Sequence, residues 1–393
     1  MTHPWDTSSC LFCGTSGPSL STLFMAYSWL MIDPEKDPES AARFGRMLLD
    51  WYDAHQRDLP WRSSRDPYAI WVSEIMLQQT RVAVVIERYL QFLDRFPSLL
   101  ALALAPEQDV LALWSGLGYY RRARMLHKAA QYVVEHYNGA LPATADQLRL
   151  LPGIGAYTAA AIASIAFGQV IGVVDGNVER VFCRVQDWPA ITRSSASRLR
   201  RSITTLVDRI IPASRPGDFN QALMELGATV CTPRSPQCII CPVAVDCSTR
   251  GEHQTAPRPA MLSTEFGCAL AVRTSSYPGP HHLEILLEQR PETRSVMPGL
   301  WQLPTLTDPN VPEASLRMTL RHAIMRVNYY VRVRTVLAEE VDSLTRPQGE
   351  RRWVPQAEIA SLALTGLTRK VLTRAHLMRP PLEGIQVPAL TVP

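Results

Sequence analysis

The chain has 393 residues, 46% of them hydrophobic, enough to bury two or three domain cores. Its formal net charge of +4 permits nucleic-acid binding without arguing for it, so any basic surface must be local. No apolar run approaches the roughly 20 residues that span a bilayer, and eight cysteines without a secretory signal suggest a reducing compartment.

Residues 1–40 read as an N-terminal extension without structure. The apolar stretch 23–32 has no positive region before it, so it is not read as a signal peptide; Met25 and Met31 are alternative starts. Cys10 and Cys13 form a lone Cys-x2-Cys with no partner pair. From 41 to 250 apolar residues recur at three- and four-residue spacing, which predicts helices over 41–56, 70–89, 110–119 and 122–137.

Leu151-Pro152-Gly153-Ile154-Gly155 lies between a short apolar-periodic stretch (145–150) and a small-residue helix (156–167). Helix, glycine turn and helix make a hairpin whose exposed N–H groups suit an anion such as DNA phosphate. An ordinary two-helix connection with a C-cap glycine is the alternative. Next comes Val174-Asp175-Gly176-Asn177-Val178-Glu179-Arg180, where Asp175 opens a helix and is either a plain cap or a placed carboxylate.

Cys231, Cys238, Cys241 and Cys247 read Cys-x6-Cys-x2-Cys-x5-Cys. Four thiolates in one short segment can converge on a tetrahedral zinc or an iron–sulfur cubane. Zinc sites usually carry two short knuckles; a single Cys-x2-Cys between longer arms favours a [4Fe–4S] cluster. Residues 248–261 are a polar, proline-bearing linker. Beyond it 268–273, 283–288 and 329–337 read as strands, and 313–320 and 366–374 as helices, an α+β region. A tail, 379–393, ends the chain.

The hairpin, the Asp-Gly-Asn turn and the cysteine loop, in this order, resemble the helix-hairpin-helix DNA glycosylase family. Leu59-Pro60-Trp61-Arg62, the segment from Ser73 to Arg81 and Gly116-Leu117-Gly118-Tyr119-Tyr120 narrow the resemblance to its adenine-specific, MutY-type branch. It covers 42–250 closely and 262–378 more weakly, with Gly299-Leu300-Trp301-Gln302-Leu303-Pro304 matching a piece of a MutT-like (Nudix-type) domain. The implied architecture is a mainly α, two-lobed glycosylase region over 41–250, with the cysteine loop at 231–247, followed by an α+β Nudix-like lesion-recognition domain over 262–378. No Glu-rich metal box is present, so pyrophosphate hydrolysis is not expected.

By this resemblance Glu74 is the general acid at adenine N7 and later activates water; its apolar neighbours should raise its pKa. Asp175 is expected to stay ionised at its helix N-terminus and stabilise the developing sugar cation, or bond to it transiently, with Asn177 holding it or a phosphate. Strand-nicking relatives place a Schiff-base lysine where Tyr157 stands. This chain has only Lys36, Lys128 and Lys370, so a monofunctional enzyme is expected, with Tyr157 bonding near the sugar or Asp175. Base extrusion must accompany the chemistry. Gln79, Tyr119 and Tyr120 are the expected wedge; Trp61, Arg62, Leu77, Gln78 and Glu225 are expected to bind substrate. Gly153, Gly155, Arg122 and Arg124 are expected to meet phosphates. The family's Phe-Ser-His loop is absent: the aligned segment is Arg321-His322-Ala323-Ile324-Met325-Arg326. The implied partner is double-stranded DNA with adenine opposite 8-oxoguanine or guanine, bound by a monomer in the cytoplasm at the nucleoid. The alternatives are another base specificity (thymine or an oxidised pyrimidine) and a non-catalytic iron–sulfur DNA-binding protein.

Overall fold

A computed structural model describes residue 32 and residues 34–188, 196–253, 260–274 and 283–378. The expectations for the extension up to residue 31 (with Cys10 and Cys13), for linker residues 254–259 and for the tail fall outside these residues. The chain forms two compact units, one from Met1–Gln56 and Val170–Thr255, the other from Arg57–Gln169 and Ala256–Pro393.

The described part of the first unit is helical. Asp37 caps the helix Pro38–His55 by accepting the Ser40 N–H at 3.0 Å, and Pro38 supplies a ready-set φ at its first turn. This helix packs with Gly176–Val185, Ala196–Ile210 and Pro216–Thr229 around Phe44, Leu48, Phe182, Ile203, Val207 and Phe219. The buried Asn220 carboxamide clamps the chain that enters Asp175: it accepts from Val173 N–H at 3.0 Å and donates to Ile171 C=O at 2.9 Å. Ordered chain begins before residue 41, because the Pro38 helix and the buried Ile32 belong to the core.

In the second unit the helices Pro67–Leu77, Val82–Arg95, Leu99–Leu104, Glu107–Leu113, Arg121–His136, Ala145–Leu148 and Ala156–Phe167 precede the sheet. Trp71, Phe92, Leu102, Trp114 and Leu126 are fully buried among them. The sheet comprises β1 (Leu262–Thr274), β2 (Leu283–Gln289), β3 (Trp301–Gln302), β4 (Leu316–Ile324), β5 (Val327–Val336) and β6 (Arg351–Pro355). Its order is β3-β2-β1-β5-β4, with β6 also on β2. Among the described strands β1 and β5 pair in parallel, in a register running from Leu262↔Val327 to Ala271↔Val336, and the other strand pairs are antiparallel. One face buries Leu270, Ile285, Leu303 and Val333 with the helix Gly366–Arg374, and the other buries Ala269, Leu286, Val336 and Val341.

The structure departs from the sequence expectations at three elements. The helix expected over 70–89 is two helices, Pro67–Leu77 and Val82–Arg95, parted by a turn in which Gln79 has φ 57°. The helix expected over 110–119 stops at Leu113, since Gly116 (φ 102°) and Gly118 (φ 69°) turn the chain into left-handed conformations. The helix expected over 313–320 is a single turn, Glu313–Ser315, followed by strand β4: exposed Arg317, Thr319 and Arg321 alternate with Met318 and buried Leu320, a period of two. Among the described residues no helix is long and apolar enough to cross a membrane.

Candidate active site and cysteine loop

Glu74 lies on the helix Pro67–Leu77, in which every residue from Tyr68 to Met76 is buried. Its side chain is taken out of water between Ser73 and Ile75, and the Tyr157 hydroxyl donates to its Oε2 at 2.7 Å. Tyr157 is the second residue of Ala156–Phe167, which packs against the Glu74 helix; Gln78 Nε2 donates to Thr158 Oγ1 across the same contact at 3.2 Å. The tyrosine in the lysine position therefore engages Glu74.

A cleft of about 450 Å³ in this unit is lined by Gln78, Gln79, Tyr119, Arg121, Pro152 and Gly153. Three separate sequence motifs thus meet on one surface. The hairpin turn has a single solution at Gly153: its φ is 76°, and a Cβ there would stand 2.5 Å from the Met125 Cβ. Gly155 caps the next helix with no side chain, and a Cβ there would point into open space, so the first N–H groups are left for an outside acceptor. Gln79 (φ 57°) and Tyr119 (φ 49°) are both non-glycine residues held in the left-handed region. Such strain, on the order of 1–3 kcal/mol each, clusters at functional sites.

Arg122 explains how it persists. The guanidinium was expected to face phosphate; instead it points inward and donates to the carbonyls of Ile75 (2.6 Å), Met76 (3.0 Å), Gln78 (2.6 Å), Leu117 (3.0 Å) and Gly118 (3.1 Å) and to Thr80 Oγ1 (3.1 Å). It closes the C-terminal end of the Glu74 helix and grips the carbonyl immediately before each left-handed residue. Burial pushes its pKa down to about 10, still far above neutrality, so it remains a cation. Arg124 likewise turns from phosphate to protein, binding Glu107 at 2.9 Å and the Pro298 carbonyl at 2.9 Å. Tyr120 is no wedge: it is 4% exposed and its hydroxyl donates to the Leu364 carbonyl at 2.7 Å. Tyr119, half exposed, keeps that assignment open. Trp61 is buried edge-on against Tyr89, Arg62 donates to the Arg57 carbonyl at 2.9 Å, and neither they nor Leu77 line the cleft.

In the first unit Asp175 caps Gly176–Val185. Its Oδ1 accepts from Asn177 N–H (2.9 Å) and Val178 N–H (2.8 Å), and its Oδ2 accepts from Asn177 Nδ2 (2.8 Å). Burial pushes its pKa up, and these three donors with the Arg180 charge oppose the rise. Arg180, one helical turn after Asn177, donates to Asn177 Oδ1 (2.9 Å), Gly227 C=O (2.6 Å) and Cys231 C=O (2.8 Å). A Cβ on Gly227 would be 2.6 Å from the Asn177 Cβ, so that helix presses on the turn. Arg180 was overlooked as a site residue, although its i,i+3 spacing from Asn177 places the two on one helix face. Glu225 is 1% exposed, within Pro216–Thr229.

Cys231, Cys238, Cys241 and Cys247 line one pocket behind Val181, Arg184 and Val243. Arg184 donates to Cys231 Sγ (3.3 Å), Thr232 C=O (2.8 Å) and Pro233 C=O (3.0 Å), and the Arg250 N–H faces Cys247 Sγ at 3.5 Å. Burial, and then the other three cysteines, push the Cys241 thiol up to about 11; a bound cation would reverse that. No group of three or more ligating side chains among the described residues is set to hold one ion. Thiolates on a single tetrahedral ion stand about 3.8 Å apart, whereas a cubane spreads them wider. The four thiols, with N–H donors at Cys231 Sγ and Cys247 Sγ, are a donor set that fits a sulfur-bound metal centre.

A family model described as "HhH-GPD superfamily base excision DNA repair protein" matches residues 72–206. The chain is 37% identical to the adenine DNA glycosylase of Mus musculus, covering 85% of this chain and 78% of that one. With the adenine DNA glycosylase of Homo sapiens it shares 36% identity over 86% of this chain and 74% of that one. A solved structure of a thermostable thymine-DNA glycosylase matches with a TM-score of 0.50 and 28% identity, covering 56% of this chain and 99% of that one. The chain therefore belongs to the adenine DNA glycosylases of the HhH-GPD superfamily of base excision DNA repair proteins.

Proposed function

We propose that this protein hydrolyses the N-glycosidic bond of adenine mispaired with 8-oxoguanine or guanine in double-stranded DNA, as a monomer and without a strand-cleaving lyase step. The observation that carries the reading is the buried Glu74 held by Tyr157. An adenine anion leaves poorly, so a proton must reach the base; Glu74 supplies it, and Tyr157 fixes the carboxyl that does so. The electron-poor sugar left behind needs a negative charge; Asp175, aimed by Asn177, supplies that. A phenol carries no amine and so cannot form a Schiff base, which supports base removal alone. The cleft of Gln78, Gln79, Tyr119 and the Gly153 hairpin supports a duplex opened at one nucleotide.

Cys231, Cys238, Cys241 and Cys247 would hold a [4Fe–4S] cluster. When bound it supplies positive charge that keeps the four thiols deprotonated and fixes the loop's shape. Arg184 and Arg180 brace that loop, and Arg180 also reaches Asn177. The working location is the cytoplasm, on the nucleoid.

Single-turnover assays on duplexes with A opposite 8-oxoG, G or C, and with T opposite G, test the proposal. Adenine release that breaks the strand only after alkali is the expected result. Thymine release, or strand cleavage without alkali, would overturn it. The rate ratio between 8-oxoG and G measures whether the Met325–Arg326 turn, with Met325 at φ 52° and 74% exposed, reads the lesion without the Phe-Ser-His sequence.

A further inference from the structure

Two guanidiniums of the second unit converge on Ser115 and Gly116 from different elements. Arg369, on Gly366–Arg374, donates its Nε to Ser115 Oγ at 2.8 Å. Arg88, on Val82–Arg95, lies so close to Gly116 that a Cβ there would stand 3.7 Å from its Nη2. The Tyr120 hydroxyl, 3.3 Å from the same Ser115 Oγ, lies beside them. Among the described residues neither arginine has a carboxylate partner; the Arg88 side chain bonds only to Gln91 Oε1, at 3.1 Å. Burial first, and then the Arg88 charge, lower the Arg369 pKa. Two like charges without a direct carboxylate partner repel each other, and an anion that joined them both would relieve that repulsion.

Both arginines line one open groove of about 1170 Å³, with Ser361 and His376 also on its wall. The acids of the groove are mostly engaged elsewhere: Asp109 pairs with Arg95 at 3.2 Å, and Glu87 accepts from Gln91 at 2.8 Å. Guanidinium forks match a tetrahedral oxyanion in shape and charge, and the buried Ser115 hydroxyl holds the Arg369 guanidinium in place through its Nε.

We propose that this groove binds a small phosphate-bearing anion, clamped between Arg88 and Arg369. Glu87, Asp94 and Asp109 on the same walls would repel an extended polyanion such as duplex DNA, which favours a small anion. Bound there, the anion ties Val82–Arg95 to Gly366–Arg374 and so stiffens the joint between the helices and the sheet of this unit.

Thermal unfolding of the full chain, titrated with inorganic phosphate against chloride at fixed ionic strength, tests this. Phosphate at ten times its dissociation constant should raise the melting temperature by about 3–6 °C and saturate. Arg88→Gln and Arg369→Gln should abolish the saturable part while keeping the small non-specific salting effect that any protein shows. In chloride alone Arg88→Gln should melt no lower than the parent, since it removes a repulsion. The proposal falls if the parent shows no saturable response, if the variants keep it, or if Arg88→Gln melts lower in chloride, which would make Arg88 a plain structural residue. A nucleoside monophosphate should compete with phosphate; a duplex that displaces it more strongly would overturn the assignment to a small anion.

Discussion

Replacing Arg122 by methionine keeps the volume of the side chain and removes all its donors. Six oxygen acceptors then lose a charged partner. Hydrogen bonds to a charged group contribute about 1.5–3 kcal/mol each, and a buried carbonyl left without a donor costs about 1–3 kcal/mol, but bonds that share two nitrogens are far from additive. Relaxation of Gln79 and Tyr119 out of the left-handed region returns about 1–3 kcal/mol apiece. The net loss is on the order of 3 kcal/mol, a fall in melting temperature of about 6–12 °C. Arg122→Lys, able to reach one or two acceptors, should fall between. The assay pairs thermal unfolding with DNA binding at low salt. Affinity for an adenine-mispaired duplex should drop at least tenfold in Arg122→Met even at temperatures where the variant is folded, because the loops carrying Gln79 and Tyr119 lose their shape. If the variant melts within a degree of the parent, or is destabilised but binds DNA with full affinity, Arg122 does not hold those loops.

Tyr157→Phe removes the 2.7 Å bond to Glu74 and should slow single-turnover adenine release about tenfold with little change in duplex affinity; an unchanged rate would separate Tyr157 from the chemistry. Gly153→Ala places a Cβ 2.5 Å from Met125 in a left-handed position and should cost about 2–4 kcal/mol by chemical denaturation, whereas Gly155→Ala should be near neutral for stability. Asp175 has a folded pKa above its unfolded value, so its share of stability is present below the unfolded pKa and lost as pH rises through the folded one. In the role proposed for it the anion acts, so adenine release should fail as pH drops through a midpoint above the ordinary carboxylate value of about 3.9, and a lower midpoint would contradict the burial argument. Arg180→Gln breaks the bonds to Asn177 and Cys231 together; we expect slower release and faster loss of the cluster's visible absorbance under a chelator, and no change in either would dismiss the brace.

Much of the site was legible because its residues act where they sit in the chain. Asp175 and Asn177 are two apart and meet within one helix cap, and four cysteines within 17 residues could hardly avoid one pocket. The errors fell where partners are far apart in sequence. Arg122 looks like a surface arginine beside Arg124, and only folding shows that it meets carbonyls 44 to 47 residues away. Tyr120 and Tyr119 are indistinguishable as letters, yet the alternation at a turn buries the first against Leu364 and exposes the second. The strand at 316–324 was missed because its polar face is arginine-rich and its apolar face short, so propensity spoke louder than the period-two pattern.

The first unit is assembled from Met1–Gln56 and Val170–Thr255, with the whole of Arg57–Gln169 inserted between its halves. On a ribosome, Pro38–His55 emerges long before Gly176–Val185 and Pro216–Thr229, the helices it must pack against. Closing that gap with an unstructured insert would cost on the order of 4 kcal/mol in chain entropy, and an insert that has already folded shortens the effective loop. Synthesis therefore favours the helices of the insert first, then the Asp175 cap and the cysteine loop, with the sheet last. A nascent chain released before residue 231 would own Glu74 and Tyr157 and lack every thiol of the loop.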